Sequence, residues 1–346
     1  MIAAVLTRIN EPLELAEVKP GTLAYGQVLV KVLASGICGA QLQEIRGEKG
    51  NAAHLPHLLG HEGVGIVEEI GAGVTRMQPG ERVVMHWRKA SGIESEFPTY
   101  RFRGKTMTSG RVITFAEQAI CSENRLTPVA DDAPLELCAL LGCGLSTALA
   151  TVENEANVRF GESVMVIGCG GLGTNLIRAC VMRCAHPIVS VDINSNKSAI
   201  AYHAGANLYL DCTANEWSEI PALAKVKGFD VIIDTAGSPS SMEKALTFLK
   251  PSGRYIMVGQ PRPGESVALL NARHLFDGEG KSIRATQGGQ FRPDVDIPRY
   301  VELWRSGLLN LDGLITHRLP LAKINDGIEL VRAGEAGRVL IEMQQA

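Results

Sequence analysis

The sequence predicts an α/β protein, with a doubly wound parallel sheet in its second half preceded by a mainly-β domain. Three observations carry this. From about residue 133 onward, SVMVIG, PIVSVDI, NLYLDCT, FDVIIDTAG, GRYIMVGQ and SIRATQGG form six strand candidates separated by helix-period segments. That alternation is the pattern of a parallel sheet with crossover helices. Earlier, QVLVKVLASGI, GVGIVEEIG, ERVVMHW and RVITFAEQAIC are β-type runs punctuated by Gly and Pro, which read as a twisted antiparallel sheet or small barrel. Finally, 346 residues with 45% apolar and 21% charged content suffice for two domains, each with its own core.

The elements follow in order. MIAAVLTRINEPLEL soon acquires charge and lacks a basic n-region, so it reads as a first strand rather than a signal peptide. LELCALLGCGLSTALATV is helical in pattern. Helices are expected over 172–183, over NKSAIAYHAGA and over SMEKALTFLK. After residue 288 come a helix around IPRYVELWRSGLL and the tail ITHRLPLAKINDGIELVRAGEAGRVLIEM.

No apolar run approaches the roughly 20 residues that span a bilayer. A net charge of -3 gives no global signature of nucleic-acid or acidic-membrane binding. The eight cysteines are scattered through apolar segments, which favours a reduced cytoplasmic protein over a disulfide framework. Most read as small buried residues.

Gly168-Cys169-Gly170-Gly171-Leu172-Gly173 follows the apolar run SVMVI and opens a helical pattern. A bare GxGxxG is weak, but this one has the strand-to-helix context of a dinucleotide-binding turn. Gly168 permits the tight turn, Gly170 lets backbone approach the pyrophosphate, and Gly173 lets helix pack on strand. Gly171 and Leu172 open the helix whose N-terminus favours phosphate. Asp192 ends the next strand at the spacing of a ribose-binding acid. It would accept from the ribose hydroxyls and repel a 2′-phosphate, so NAD is favoured over NADP. Lys197 is a candidate at the ribose edge.

Cys38 in ASGICGAQ, His61 in LLGHEGVG and Cys143 in LLGCGLSTA are each flanked by small residues. Two thiolates and an imidazole suit zinc and leave a fourth, open position. Singly, a buried Cys packs and a buried His hydrogen-bonds, and no CxxC spacing singles these three out.

The motifs GHEGVGIVEEIGAGV, PGERV, GCGLST, VDINSNK and LITHRLPLAKINDGIELVRAGE resemble the zinc-containing medium-chain alcohol dehydrogenases over nearly the whole chain. The resemblance implies a GroES-like catalytic domain over 1–144, completed by 288–346, and a Rossmann NAD-binding domain over 145–287, with the active site in the cleft between them. It implies Cys38, His61 and Cys143 as ligands of a catalytic zinc. Glu62 is implied as an acidic residue that tunes the metal or enters its shell, a salt-bridged structural carboxylate being the alternative. Arg338 is implied as a contact to cofactor pyrophosphate, or is an ordinary surface arginine. A homodimer or homotetramer is implied as well.

Two departures stand out. The position two after the first cysteine, commonly Ser or Thr in relatives and a proton relay, is Ala40, and Gln41 replaces the common Asp. Thr147 and His317 are the available polar residues. The lobe that in many relatives carries four cysteines has none in HWRKASGIESEFPTYRFRGKTMTSGRVITF, so one zinc per chain and no structural zinc is expected. That segment is instead charged and aromatic, with Arg88, Lys89, Glu94, Glu96, Tyr100, Arg101 and Arg103. It reads as a solvated loop, a polar substrate entrance or an oligomer contact.

The expected activity is reversible hydride transfer between a primary or secondary alcohol and NAD, giving an aldehyde or ketone. Alternatives are a polyol, sugar or amino-alcohol dehydrogenase, or a catalytically silent NAD-binding protein, which Ala40 favours. A metal-independent enone or quinone reductase lacks the three-ligand set.

Overall fold

The computed structural model describes residues 1–343 apart from 215 and 270. These fall into two compact units, Met1–Ser146 with Arg292–Ala346, and Thr147–Phe291.

The first unit is organised by the strand Gln27–Gly36, whose run QVLVKVLASG is buried or half-buried throughout. One edge pairs antiparallel with Glu62–Ile70 along its length. The other takes Gln118–Ser122 opposite Gln27–Lys31 and then Arg338–Glu342 opposite Ala34–Gly36. Arg82–His86, Leu126–Pro128 and Ile315–Pro320 extend this seven-stranded sheet among the described residues. The tail thus returns to the N-terminal sheet, its strand Arg338–Glu342 buried except at Glu342.

The register fixes what meets at one end of that sheet. Ser35 faces Gly63, so Cys38, just beyond one strand, and His61, just before the other, emerge together. Leu340 faces Gly36, which brings Arg338 to the same end. The helix Leu135–Leu141, fully buried from Leu137 to Leu141, packs across Glu62–Ile70 and Gln27–Gly36 and delivers Cys143 two residues past its end.

The segment expected as a polar loop is a hairpin, Thr99–Phe102 with Lys105–Thr108, whose first strand also pairs with Lys19–Pro20. Its organisation is ionic. The Glu94 carboxylate receives Arg111 at 2.9 Å, Arg125 at 2.7 Å and Asn124 at 2.8 Å. Glu123, buried, accepts backbone N–H bonds from Thr75, Arg76 and Ile93 at 2.8–2.9 Å. These bonds hold the segment without cysteine.

The second unit is a six-stranded parallel sheet among the described residues, in the order Leu208–Asp211, Ile188–Asp192, Val164–Ile167, Phe229–Asp234, Leu249–Met257, Ser282–Ala285. All six strand candidates are present. Chain order reverses beside Val164–Ile167, the switch point at which such sheets bind ligands beyond their carboxyl ends. Ile167 pairs with Val191, so the glycine turn and Asp192 leave the sheet side by side. No single described helix is long and apolar enough to cross a membrane.

Candidate metal centre and dinucleotide turn

The thiols of Cys38 and Cys143 and the imidazole of His61 offer ligand atoms that all lie within 4.8 Å of one another. Donors at zinc's usual bond lengths on a tetrahedron are about 3.5–4 Å apart, so the three fit one ion with little movement. Cys38 caps the helix Gly39–Ile45 in extended conformation. Gly60, at φ +93 with Thr114 Oγ1 2.4 Å from where a Cβ would lie, turns the chain into His61.

The thiols share a hydrogen bond that pulls Cys38 well below the usual thiol range, with His61 assisting against burial, and pushes Cys143 well above it. Burial, the largest single influence, disfavours the His61 cation, but the bond to Cys38 together with the charges of Cys38, Glu44 and Glu62 raises the imidazole overall. Four other cysteines differ: burial lifts Cys121, Cys138 and Cys180 to about 12 and Cys169 to about 11, which leaves them as packing residues.

Glu62 is not among the converging groups. It is fully buried, and its Oε1 lies 3.3 Å from Arg338 Nη1. Its Oε2 accepts from Gly144 N at 2.9 Å and from Arg338 Nη2 at 3.4 Å. Burial raises the Glu62 carboxyl and Arg338 opposes the shift. The structure thus turns Glu62 towards Arg338 and not into the ligand set. Arg338, expected at the cofactor pyrophosphate or the surface, is only 4% exposed and also donates to the Ile37 carbonyl. Small residues beside the cysteines make room for this pair: a Cβ at Gly36 would lie 2.4 Å from Glu62 Oε1, and one at Gly144 1.3 Å from Arg338 Nη2.

Gln41, fully buried in the first turn after Cys38, lies 2.6 Å from His61 Nδ1 and accepts from Cys38 N at 2.9 Å. Sequence reading noted Gln41 only as a replacement; its contact with a residue 20 positions away had no signal in the chain. Ala40 lies in the same helix. Thr147 is buried in the helix Gly144–Ala150, and His317 sits on the strand Ile315–Pro320 with its ring against Thr316.

In the second unit, Gly168 has φ +89 and Gly170 caps the helix Gly171–Met182. A Cβ at Gly173 would stand 1.8 Å from the Gly168 carbonyl oxygen, whereas one at Gly170 would meet nothing within 4 Å. The first relation makes glycine obligatory for the turn; the second leaves space over the helix N-terminus, where backbone N–H groups favour phosphate. Leu172 lies in the first turn. Asp192 accepts from Cys169 N at 2.5 Å and Asn194 N at 3.0 Å, which ties it to the glycine turn. Lys197, 6% exposed, is attracted to it. Tyr209, which sequence reading missed, donates to the Asn194 carbonyl at 2.6 Å and braces the loop.

A side-chain group that could hold a metal ion in one unit and a glycine turn of the dinucleotide-binding pattern in the other are the features of the zinc-binding dehydrogenase class. Sequence models agree: residues 24–131 match the alcohol dehydrogenase GroES-like domain and residues 171–304 the zinc-binding dehydrogenase domain. The chain is 30% identical to S-(hydroxymethyl)glutathione dehydrogenase of Paracoccus denitrificans, over 98% of each chain. It is also 30% identical to alcohol dehydrogenase 6 of Peromyscus maniculatus, over 98% of this chain and 96% of that one. Among solved structures, benzyl alcohol dehydrogenase of Acinetobacter calcoaceticus superposes with a TM-score of 0.89 at 26% identity, covering 99% of each chain. The chain belongs to the zinc-containing medium-chain alcohol dehydrogenase family.

Proposed function

We propose that this protein is a zinc-dependent, NAD-linked alcohol dehydrogenase, oxidising a primary or secondary alcohol to an aldehyde or ketone and running the reverse reaction. The observation that carries the reading is the convergence of Cys38, His61 and Cys143 within 4.8 Å in a chain that also builds a dinucleotide turn ending at Asp192.

Cys38, His61 and Cys143 would hold one zinc ion, which when bound supplies Lewis acidity towards an alcohol or carbonyl oxygen. Two thiolates balance the ion's charge and three protein donors leave the fourth position to substrate. Glu62 places its carboxyl group beside this centre, where burial raises its pKa and its partner Arg338 opposes the rise. Gly168, Gly170, Gly171, Leu172 and Gly173 seat the pyrophosphate, while Asp192 and Lys197 receive the ribose. NAD, when bound, takes up or returns the hydride.

Ala40 has no hydroxyl, so it takes no part in removing the alcohol proton. It favours the second reading, a silent NAD-binding protein. A panel of primary, secondary and benzylic alcohols, polyols, sugars and S-(hydroxymethyl)glutathione, offered with NAD or NADP at known zinc occupancy, decides between them. Substrate-dependent NADH absorbance that scales with zinc content supports the dehydrogenase. Stoichiometric zinc and NAD with no turnover on the whole panel supports the silent protein. Full turnover in metal-free protein contradicts the zinc-dependent mechanism.

A further inference from the structure

Thr114 reaches both shoulders of the turn that presents His61. Its backbone N–H and that of Phe115 each donate at 3.2 Å to the carbonyl of Leu59, two residues before His61. Its hydroxyl lies 2.6 Å from Ser35 Oγ, and Ser35 Oγ donates at 3.0 Å to the carbonyl of Glu62, the residue after His61. Thr114 and Ser35 are both fully buried, so water does not substitute for a lost partner and each unmet bond carries its desolvation penalty.

The glycines on either side of His61 and Glu62 make room for this one side chain. A Cβ at Gly60, where φ is +93, would lie 2.4 Å from Thr114 Oγ1, and one at Gly63 would lie 2.9 Å from Thr114 Cγ2. Chemistry fixes the direction of the hydroxyl chain. A serine hydroxyl has one proton to give, and the carbonyls of Glu62 and, at 3.3 Å, Gly36 only accept. Ser35 therefore gives its proton to a carbonyl, and Thr114 is the donor in the 2.6 Å bond between the two hydroxyls.

Ser35 stands on the strand Gln27–Gly36, three residues before Cys38. The chain from Thr114 through Ser35 to the Glu62 carbonyl thus ties the strand leading to Cys38 to the turn carrying His61. The ladder between these strands is irregular from Val32 to Ala34, close to where backbone pairing would otherwise set their spacing.

We propose that Thr114 is a positioning residue of the metal site: its hydroxyl, acting through Ser35, sets the separation of Cys38 and His61 and so the fit of the cation. The hydroxyl is required and the methyl group is not. This rests on the reading of Cys38, His61 and Cys143 as the zinc site.

The test measures zinc affinity by chelator competition on folded, metal-free protein. It compares the wild type with Thr114→Val, Thr114→Ser, Ser35→Ala and the double variant Ser35→Ala with Thr114→Val. Affinity read on folded protein is not moved by a loss of stability alone. Groups that orient metal ligands without touching the ion typically change affinity by about 10- to 100-fold. Thr114→Val keeps the shape without the donor and is expected to bind zinc about 10-fold more weakly. Thr114→Ser keeps the hydroxyl and is expected to bind as tightly as wild type. Ser35→Ala breaks the same chain, so the double variant should bind no more weakly than Ser35→Ala alone. In cobalt-substituted protein the visible ligand-field bands, which report donor geometry, should shift in Thr114→Val and stay in place in Thr114→Ser.

Wild-type affinity in Thr114→Val overturns the proposal while the zinc site stands. So does a loss in Thr114→Ser as large as that in Thr114→Val, or a double variant in which the two single losses multiply. A wild type that binds no zinc removes both. If Thr114→Val fails to fold, Thr114→Ser at wild-type affinity beside a weakened Ser35→Ala supports the proposal, and any other result for that pair overturns it.

Discussion

Arg338 and Glu62, 276 positions apart in sequence, form an ion pair that is buried on both sides, at 4% and 0% side-chain exposure. Removing one partner of such a pair leaves an uncompensated charge and costs about 3–5 kcal/mol. Arg338→Leu should therefore lower the urea midpoint with an unchanged slope. The double variant Glu62→Gln with Arg338→Leu should recover part of the loss. Equal destabilisation by the single and double variants would show that Glu62 does not depend on Arg338.

Gly144 sits against the same guanidinium. A Cβ there would stand 1.3 Å from Arg338 Nη2, so Gly144→Ala must displace Arg338. Overpacking of this kind costs about 1–3 kcal/mol. Because Gly144 follows Cys143 directly, zinc content should fall in parallel with thermal stability. A variant with normal stability and normal zinc would mean that the pair yields freely.

His86 predicts a pH dependence. It is fully buried, with Nδ1 2.6 Å from the Arg88 carbonyl and Nε2 2.9 Å from Thr127 Oγ1. The neutral ring donates to the carbonyl and accepts from the hydroxyl. Burial lowers its pKa from 6.5 to about 4, so the unfolded chain binds the proton first as pH falls. The folded state is unpenalised above pH 6.5 and loses stability progressively from there down to about pH 4. The full loss is about 3 kcal/mol. His86→Gln should flatten this part of the stability–pH curve, measured by urea unfolding at each pH. An unchanged slope would assign the acid sensitivity to other groups.

Asp192 predicts cofactor choice. Its carboxylate is already fixed by Cys169 N and Asn194 N, and Asp192→Asn keeps the shape while removing the charge. Loss of charge-assisted bonds to the ribose should weaken NAD about 10-fold, judged from the difference between charged and neutral hydrogen bonds. NADP, no longer repelled, should bind more tightly than to the wild type. Calorimetry with each nucleotide checks both directions; an unaltered NAD to NADP ratio would take Asp192 out of the ribose site.

The parts readable in the chain and the parts hidden from it differ in a physical way. Val164–Ile167 and Phe229–Asp234 lie inside the parallel sheet, so the first is an apolar run before Gly168 and the second is apolar apart from Asp230 and its terminal Asp234. The strand Thr99–Phe102 is exposed at Thr99 and Arg101 and buried at Tyr100 and Phe102, and its mixed charge reads as loop. One of its two partners, Lys19–Pro20, is distant in sequence. Cys38, His61 and Cys143 have no local spacing, because they are joined only by the register of neighbouring strands and by one helix end. Resemblance could suggest them; residue patterns could not. Contacts such as Gln41 with His61 and Tyr209 with Asn194 depend on side chains meeting across loops and leave no periodic trace.

X-ray absorption at the zinc edge of zinc-loaded protein tests the central claim most directly. The account predicts one zinc per chain, with two sulfur neighbours at about 2.3 Å and one imidazole nitrogen at about 2.0–2.1 Å, the sulfur shell falling to one in Cys143→Ser. A shell of oxygen and nitrogen alone, or one unaltered by that substitution, would contradict it.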